Sequence, residues 1–150
     1  MILMNDFSKD PVTLKDSVMN EISNVIDSGW FVLGKTVSSF EEKFSSMMNI
    51  DYGIGVANGM DAIEIILRSK NIGPGDEVIT TSMTAFPTVL AIIRAGATPV
   101  LSDINELTGL MSLSSAKACI SKKTKAILLV HLYGQIKDMD SWLELTKNNN

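Results

Sequence analysis

The sequence contains only one cysteine, Cys119, and one histidine, His131, among its 150 residues. One cysteine cannot form an internal disulfide, and the pair cannot supply the ligands of a typical structural zinc site. Cys119 falls on the apolar face of a predicted short helix, where packing is favoured over reactivity. The net charge is −4, without a basic stripe interleaved with aromatics. We therefore expect no metal centre and no nucleic-acid partner.

Long hydrophobic runs are also missing, and even residues 125–132 have only the length of a strand. That excludes a membrane span. The first ten residues lack the basic start and small-residue cleavage pattern of a signal peptide. We therefore expect a cytoplasmic protein without a membrane partner. The 45% hydrophobic content is that of a globular chain that buries a core, and nine methionines fit adaptable packing within it.

Hydrophobic periodicity predicts two N-terminal helices followed by alternating strands and helices. The two helices are predicted at 12–28, where Gly29 ends the pattern, and at 36–48. The later segments are a strand from Ile54, a helix after Gly59, a strand ending at Thr81, a helix at 82–96, a strand at 97–104, a helix at 112–121, a strand at 125–132 and a helix from about Asp138. This alternation indicates an α/β fold with a mostly parallel sheet flanked by helices.

The apolar run from Ile54 turns through Asn58 and Gly59 directly into an amphipathic helix. The first N–H groups of a helix lack partners within it, and its dipole favours negative charge there. A phosphate could lie against the N–H groups of Gly59, Met60 and Asp61, since glycine permits close approach. From this motif alone, plain turn geometry is the simpler interpretation. Asp61 is also more simply a first-turn carboxylate favoured by the dipole.

Several motifs in sequence order are more specific than any one of them. Segment 58–61 is followed by the turn 73–75, by the helix and strand of 82–104, and by the segment 131–135. Together they resemble the DegT-type family of pyridoxal-phosphate-dependent nucleotide-sugar aminotransferases, and segment 30–34 matches the N-terminal pattern of that family. The resemblance covers nearly the whole chain. It implies an N-terminal helical segment at 1–50 and, at 51–150, the first part of the large cofactor-binding domain of a fold-type-I pyridoxal-phosphate-dependent transferase.

The resemblance also implies site residues. The cofactor-binding candidates are Asn58, Gly59, Met60, Asp61, Thr84, Ala85, Phe86 and His131. The substrate-binding candidates are Trp30, Phe31 and Gln135.

Two positions depart from the family pattern. Met60 stands where the family often has threonine or serine, so a hydroxyl contact to phosphate is missing. Ala85 stands where many members have an aromatic that stacks on the cofactor ring. Phe86 is then either a displaced stacking residue or a core residue.

Other candidates have structural alternatives. His131 is equally a structural residue at a strand end. Asp103 follows a predicted strand, where capping or loop hydrogen bonding is favoured over ligand contact. Trp30 and Phe31 fit a subunit interface, a sugar ring or ordinary packing.

The implied activity is transfer of an amino group, usually from glutamate, to a nucleotide-linked keto sugar by a homodimer. We assign no catalytic residue in this chain. The lysine that forms the Schiff base and the acid that contacts the pyridine nitrogen are expected after Asn150, so the chain appears truncated before the catalytic lysine and inactive alone. The alternatives are a sugar dehydratase of the same fold, in which histidine replaces that lysine, and a non-catalytic fragment that acts as a binding module.

Overall fold

The computed structural model describes residues 6–136 and 138–149. The chain divides into two compact units, Met1–Gly55 and Val56–Asn150. Among the described residues, no helix combines the length and the apolar character that a membrane span requires.

The first unit contains two helices, α1 at Val12–Ser28 and α2 at Lys35–Met48, after a short 3-10 turn at Phe7–Lys9. Both helices were predicted, and the bounds of α1 are those given by its periodicity. Gly29 ends α1 in the left-handed conformation, with φ 65°, and its N–H donates to the carbonyl of Ile26. Glycine adopts this conformation without the cost that a Cβ imposes.

The second unit alternates helices and strands. Its elements are α3 at Gly59–Ser69, β1 at Glu77–Thr81, α4 at Phe86–Ala95, β2 at Thr98–Ser102, α5 at Leu113–Ala118, β3 at Thr124–Ile127 and α6 at Met139–Lys147, with a 3-10 turn at Leu132–Gly134. The strands form a sheet of order β2-β1-β3. Both pairings are parallel, and Ile79 in the central strand faces Val100 and Ile127. The predicted α/β fold with a parallel sheet is confirmed.

Helices cover both faces of the sheet. Successive strand residues point to opposite faces, and the adjacent residues Val78 and Ile79 accordingly belong to different hydrophobic clusters. Val78 packs with residues of α3 and α4, namely Leu67, Ile92 and Ala95. Ile79 packs with residues of α5 and α6, namely Ala116, Trp142 and Leu145. Cys119 packs against this second cluster, as its predicted packing role requires.

The predicted strand at Ile54 is wrong. Residues 54–58 have no regular structure, and Ile54 is 82% exposed. A strand is stabilised by hydrogen bonds to a neighbouring strand, and none of the described residues pairs with this segment. Its apolar composition is therefore insufficient to make it a strand here.

Four other elements are shorter than predicted. Strand β2 spans only Thr98–Ser102 rather than 97–104. Strand β3 ends at Ile127 rather than near Leu132, although the Leu128 N–H still donates to the Ile79 carbonyl at 2.8 Å. Helix α4 begins only at Phe86, with Pro87 in its first turn, where the missing proline N–H costs no hydrogen bond. Helix α5 ends at Ala118.

Candidate functional site

The N-terminus of α3 is held by the side chain of Asn58, which caps it. The Oδ1 atom of Asn58 accepts from the Asp61 N–H at 3.0 Å, and its Nδ2 atom donates to Asp61 Oδ2 at 3.0 Å. The Ala62 N–H donates to the Asn58 carbonyl at 3.1 Å. These bonds engage the Asp61 and Ala62 amides within the turn.

The remaining first-turn amides, those of Gly59 and Met60, have no acceptor in the described part of the chain. A Cβ built on Gly59 would meet no described atom beyond its own turn within 4 Å, so the space before the turn is open. Two free N–H groups at the start of an eleven-residue helix offer an anion hydrogen bonds and a favourable dipole. The turn therefore fits a phosphate group.

The direction of α3 places this turn at one edge of the sheet. Leu67, near the end of α3, shares a cluster with Ala95, at the end of α4. A Cβ on Gly73, just after α3, would lie 3.4 Å from the Ala95 carbonyl oxygen. Helices α3 and α4 thus end at the same edge of the sheet. Both therefore begin at the opposite edge, where the parallel strands have their carboxyl ends. Ligands of open α/β sheets collect at that edge.

Thr84 and Ala85, which connect β1 to α4, and Phe86, the first residue of α4, lie at the same edge. The hydroxyl of Thr84, which is half-buried, lies 2.8 Å from the Thr88 hydroxyl, and Ala85 is the N-cap of α4. Phe86 is 73% exposed. The alternative that Phe86 is a core residue is therefore wrong, and its ring is accessible to a ligand.

His131 and Gln135 flank the 3-10 turn that follows β3. His131 is exposed, and its carbonyl accepts from the Gly134 N–H at 3.1 Å. The Nε2 atom of Gln135 donates to the Thr108 carbonyl at 3.3 Å. Asp103, which follows β2, accepts the Ile104 N–H through Oδ1 at 2.8 Å. The loop hydrogen bond expected for Asp103 is thus present, while the roles of His131 and Gln135 stay predictions.

Arg94, in the last turn of α4, was not singled out from the sequence. Its guanidinium contacts two acids of α3, Glu64 at 2.7 Å and Asp61 at 3.4 Å. Asp61 lies 33 residues before Arg94 in the chain, so helical periodicity gives no sign of these pairs. The only sequence signal is a basic residue near a helix C-terminus, which the dipole favours. Because the Arg94 side chain is 46% exposed, each ion pair contributes under about 1 kcal/mol to stability.

Trp30 and Phe31 belong to the first unit, in the loop between α1 and α2. Trp30 is 62% exposed, and Phe31 is similarly accessible. The indole Nε1 of Trp30 donates to the Val32 carbonyl at 2.7 Å. A Cβ on Gly34 would lie 3.2 Å from the indole ring, so the ring rests against that glycine. The loop holds a defined indole orientation while leaving much of its surface open.

A parallel sheet with helices on both faces, and with free helix N-terminal amides at its carboxyl edge, defines an α/β protein whose first α3 turn fits an anion. Residues 12–150 match the model of the DegT/DnrJ/EryC1/StrS aminotransferase family. The chain belongs to this family, and the resemblance noted from the sequence motifs is confirmed.

Individual relatives agree. The chain is 41% identical over its whole length to the dTDP-3-amino-3,6-dideoxy-alpha-D-galactopyranose transaminase of Aneurinibacillus thermoaerophilus, covering 41% of that protein. It is 36% identical over 94% of its length to the UDP-2-acetamido-2-deoxy-3-oxo-D-glucuronate aminotransferase of Pseudomonas aeruginosa, covering 39% of it. The chain thus spans about two fifths of the length of these curated relatives.

Solved structures give the same result. DesV of S. venezuelae, in complex with a ketimine intermediate, superposes with a TM-score of 0.89 at 37% identity, over 96% of this chain and 39% of DesV. A family aminotransferase from Brucella abortus superposes with a TM-score of 0.91 at 26% identity, over 99% of this chain and 42% of that one. The fold of an aminotransferase N-terminal region is therefore present. The structure of NtdA from Bacillus subtilis, which superposes with a TM-score of 0.85 at 31% identity over 89% of this chain and 31% of NtdA, holds the bound cofactor PMP, and the family match therefore implies pyridoxal phosphate as the cofactor of the family.

Proposed function

We propose that this chain supplies the phosphate-binding part of a pyridoxal-phosphate-dependent aminotransferase that acts on a nucleotide-linked keto sugar, with an amino acid such as glutamate as donor. The observation that carries the proposal is the first turn of α3, where Gly59 and Met60 present free amides at the carboxyl edge of the sheet. The relatives named above are transaminases of dTDP- and UDP-linked sugars, which favours amination over the dehydratase alternative.

In this proposal each site residue has a limited task. The amides of Gly59 and Met60 bind the cofactor phosphate, and Asn58 holds their turn in place. Phe86, whose ring is exposed, is the candidate to contact the cofactor ring where Ala85 lacks an aromatic side chain. His131, which follows β3, is the candidate neighbour of the ring. When bound, the cofactor withdraws electrons from the carbon that loses a proton.

Substrate binding and assembly belong to the same proposal. Trp30 and Phe31, with the exposed Val32 and Leu33, form a continuous accessible apolar segment. Such a segment suits a subunit interface or the face of a sugar ring. We place it at the interface of a homodimer. Gln135 is the further candidate for substrate contact, and the cytoplasm is the proposed location.

The test compares Gly59→Val with Met60→Ala. Because Cα–Cβ bonds in a helix tilt toward its N-terminus, a side chain on the first residue projects into the space that the phosphate would occupy. A charge-assisted hydrogen bond contributes about 1.5–3 kcal/mol, so losing one lowers affinity at least about tenfold. We expect that loss for Gly59→Val and less than about threefold for Met60→Ala, since the contact is made by the backbone.

The measurement is calorimetric titration with pyridoxine 5′-phosphate, which lacks an aldehyde and so cannot react with lysines. Plain pyridoxine is the control for binding that does not depend on phosphate. Equal losses in the two variants, or equal binding of the two probes, would contradict the proposed phosphate site.

A further inference from the structure

The phosphate-binding turn of α3 carries an acid where an anion is expected to bind. Asp61 is the third residue of the helix, so its carboxylate lies within one turn of the Gly59 and Met60 amides. A phosphate dianion at those amides would be repelled by this charge. The attraction of the helix dipole, equivalent to about half a charge, does not offset a full negative charge nearby.

Each oxygen of the Asp61 carboxylate contacts a different side chain. Asp61 Oδ2 accepts from Asn58 Nδ2 at 3.0 Å, and Asp61 Oδ1 pairs with Arg94 Nη1 at 3.4 Å. Arg94 reaches across from α4 and also pairs with Glu64, which in turn pairs with Arg68 at 2.9 Å. The cluster contains two acids and two arginines and is neutral as a unit.

We propose that Arg94 is a positioning residue for phosphate binding. It does not touch the phosphate, and it acts through Asp61. Its guanidinium neutralises the Asp61 carboxylate and, together with Asn58, holds that carboxylate in the turn. The Gly59 and Met60 amides are then available to an anion without a net negative charge beside them. This inference rests on the proposed cofactor-phosphate site and adds to it the residue that makes the site electrostatically favourable.

Three variants separate this role from a general structural one. Arg94→Met removes the compensating charge and should weaken phosphate binding about fivefold at low salt, as expected for one charge about a helical turn away in a partly screened site. Asp61→Asn removes the repelling charge and should tighten binding by a similar factor. The double variant Arg94→Met/Asp61→Asn should bind nearly as the unsubstituted chain does.

Lys70→Met is the matched control. It also removes one exposed positive charge, but Lys70 follows the last residue of α3. A rise of about 1.5 Å per residue puts it about 15 Å from the phosphate-binding turn. Screening at moderate salt should leave binding almost unchanged.

The experiment titrates the isotope-labelled chain with pyridoxine 5′-phosphate and follows the Gly59 and Met60 amides by NMR. Salt is varied from about 10 mM to about 1 M, over which the Debye length falls from about 30 to 3 Å. The differences between variants should shrink with salt, whereas a packing defect would persist. Plain pyridoxine serves as the probe without phosphate.

The outcomes distinguish the two proposals. If these amides in the unsubstituted chain do not respond to the phosphorylated probe, the proposed cofactor site is wrong and Arg94 loses its role with it. If they respond but Arg94→Met behaves like Lys70→Met, or Asp61→Asn does not tighten binding, the site stands and the role of Arg94 is refuted. Should Arg94→Met fail to fold, Arg94→Gln, which removes the same charge but keeps hydrogen-bonding groups, is titrated in its place and is expected to show the same weakening.

Discussion

Asn58 is the residue on which the geometry of the candidate site depends most directly, and its two hydrogen bonds can be separated by substitution. Asn58→Ala removes both the acceptor for the Asp61 N–H and the donor to the Asp61 carboxylate, each at 3.0 Å. Asn58→Ser keeps a capping oxygen, because serine is about as good an N-cap as asparagine. It lacks the amide group that donates to the Asp61 carboxylate. The pair therefore isolates the contribution of the capping acceptor.

The expected magnitude follows from the cap. Replacing an N-cap asparagine by alanine costs about 1 kcal/mol. For a chain of this length that lowers the midpoint of thermal unfolding by about 2–4 °C. The serine variant should stay within about 0.5 kcal/mol of the unsubstituted chain, since the remaining exposed contact to a carboxylate contributes little.

The assay combines urea unfolding with residue-resolved hydrogen exchange. In Asn58→Ala, the Asp61 amide should exchange faster because it loses its acceptor, while amides in the middle of α4, such as that of Ile92, should change only with global stability. In Asn58→Ser, protection at Asp61 should be retained. Equal destabilisation of the two variants would show that the bond to the carboxylate, and not the cap, holds the turn, and unchanged exchange in the alanine variant would refute the capping argument altogether.

Two further predictions concern glycine and tryptophan. Gly96→Ala should cost more than Gly29→Ala in urea unfolding. Both glycines have positive φ, 91° and 65°, at which a Cβ costs about 1 kcal/mol, but only at Gly96 would the new Cβ lie 3.0 Å from a ring carbon of Pro74; equal costs would contradict the predicted clash. Trp30→Ala should change stability little, since the ring is 62% exposed. In the intact protein it should shift the monomer–dimer equilibrium or the KM for the sugar substrate, and unchanged sedimentation and kinetics would assign Trp30 to ordinary surface.

Local patterns were sufficient to predict where each helix lies in the chain, although not the bounds of every helix. The bounds of α1 could be predicted because an apolar period of helical spacing ends at a glycine, and both signals depend only on neighbouring residues. The helix after Asn58 was predicted for the same reason, with an N-cap residue before an amphipathic run. The candidate phosphate site could thus be predicted largely from sequence, since its amides all belong to the first turn of one helix.

Features that depend on distant residues were not predictable in the same way. The segment at Ile54 has the composition of a strand but no neighbouring strand to pair with in the described chain, and composition cannot supply one. Phe86 has the spacing of a core residue, yet Pro87 places the start of α4 so that Phe86 is its first residue, where the ring remains exposed. In both cases the surroundings of the segment, and not its own sequence, decide the outcome.

The net charge beside the first turn of α3 also depends on distant residues and could not be predicted from sequence. From sequence, Asp61 in the first turn of α3 counts against the proposed phosphate binding there, because the sequence shows only its position in the helix. The compensating residue comes from a different helix, and Arg94 is 33 residues away in sequence. Packing of α3 along α4 brings the two charges to 3.4 Å. Whether a helix N-terminus can accept a phosphate therefore depends on which neighbouring helix supplies the counter-charge, a property of the packed sheet and its helices.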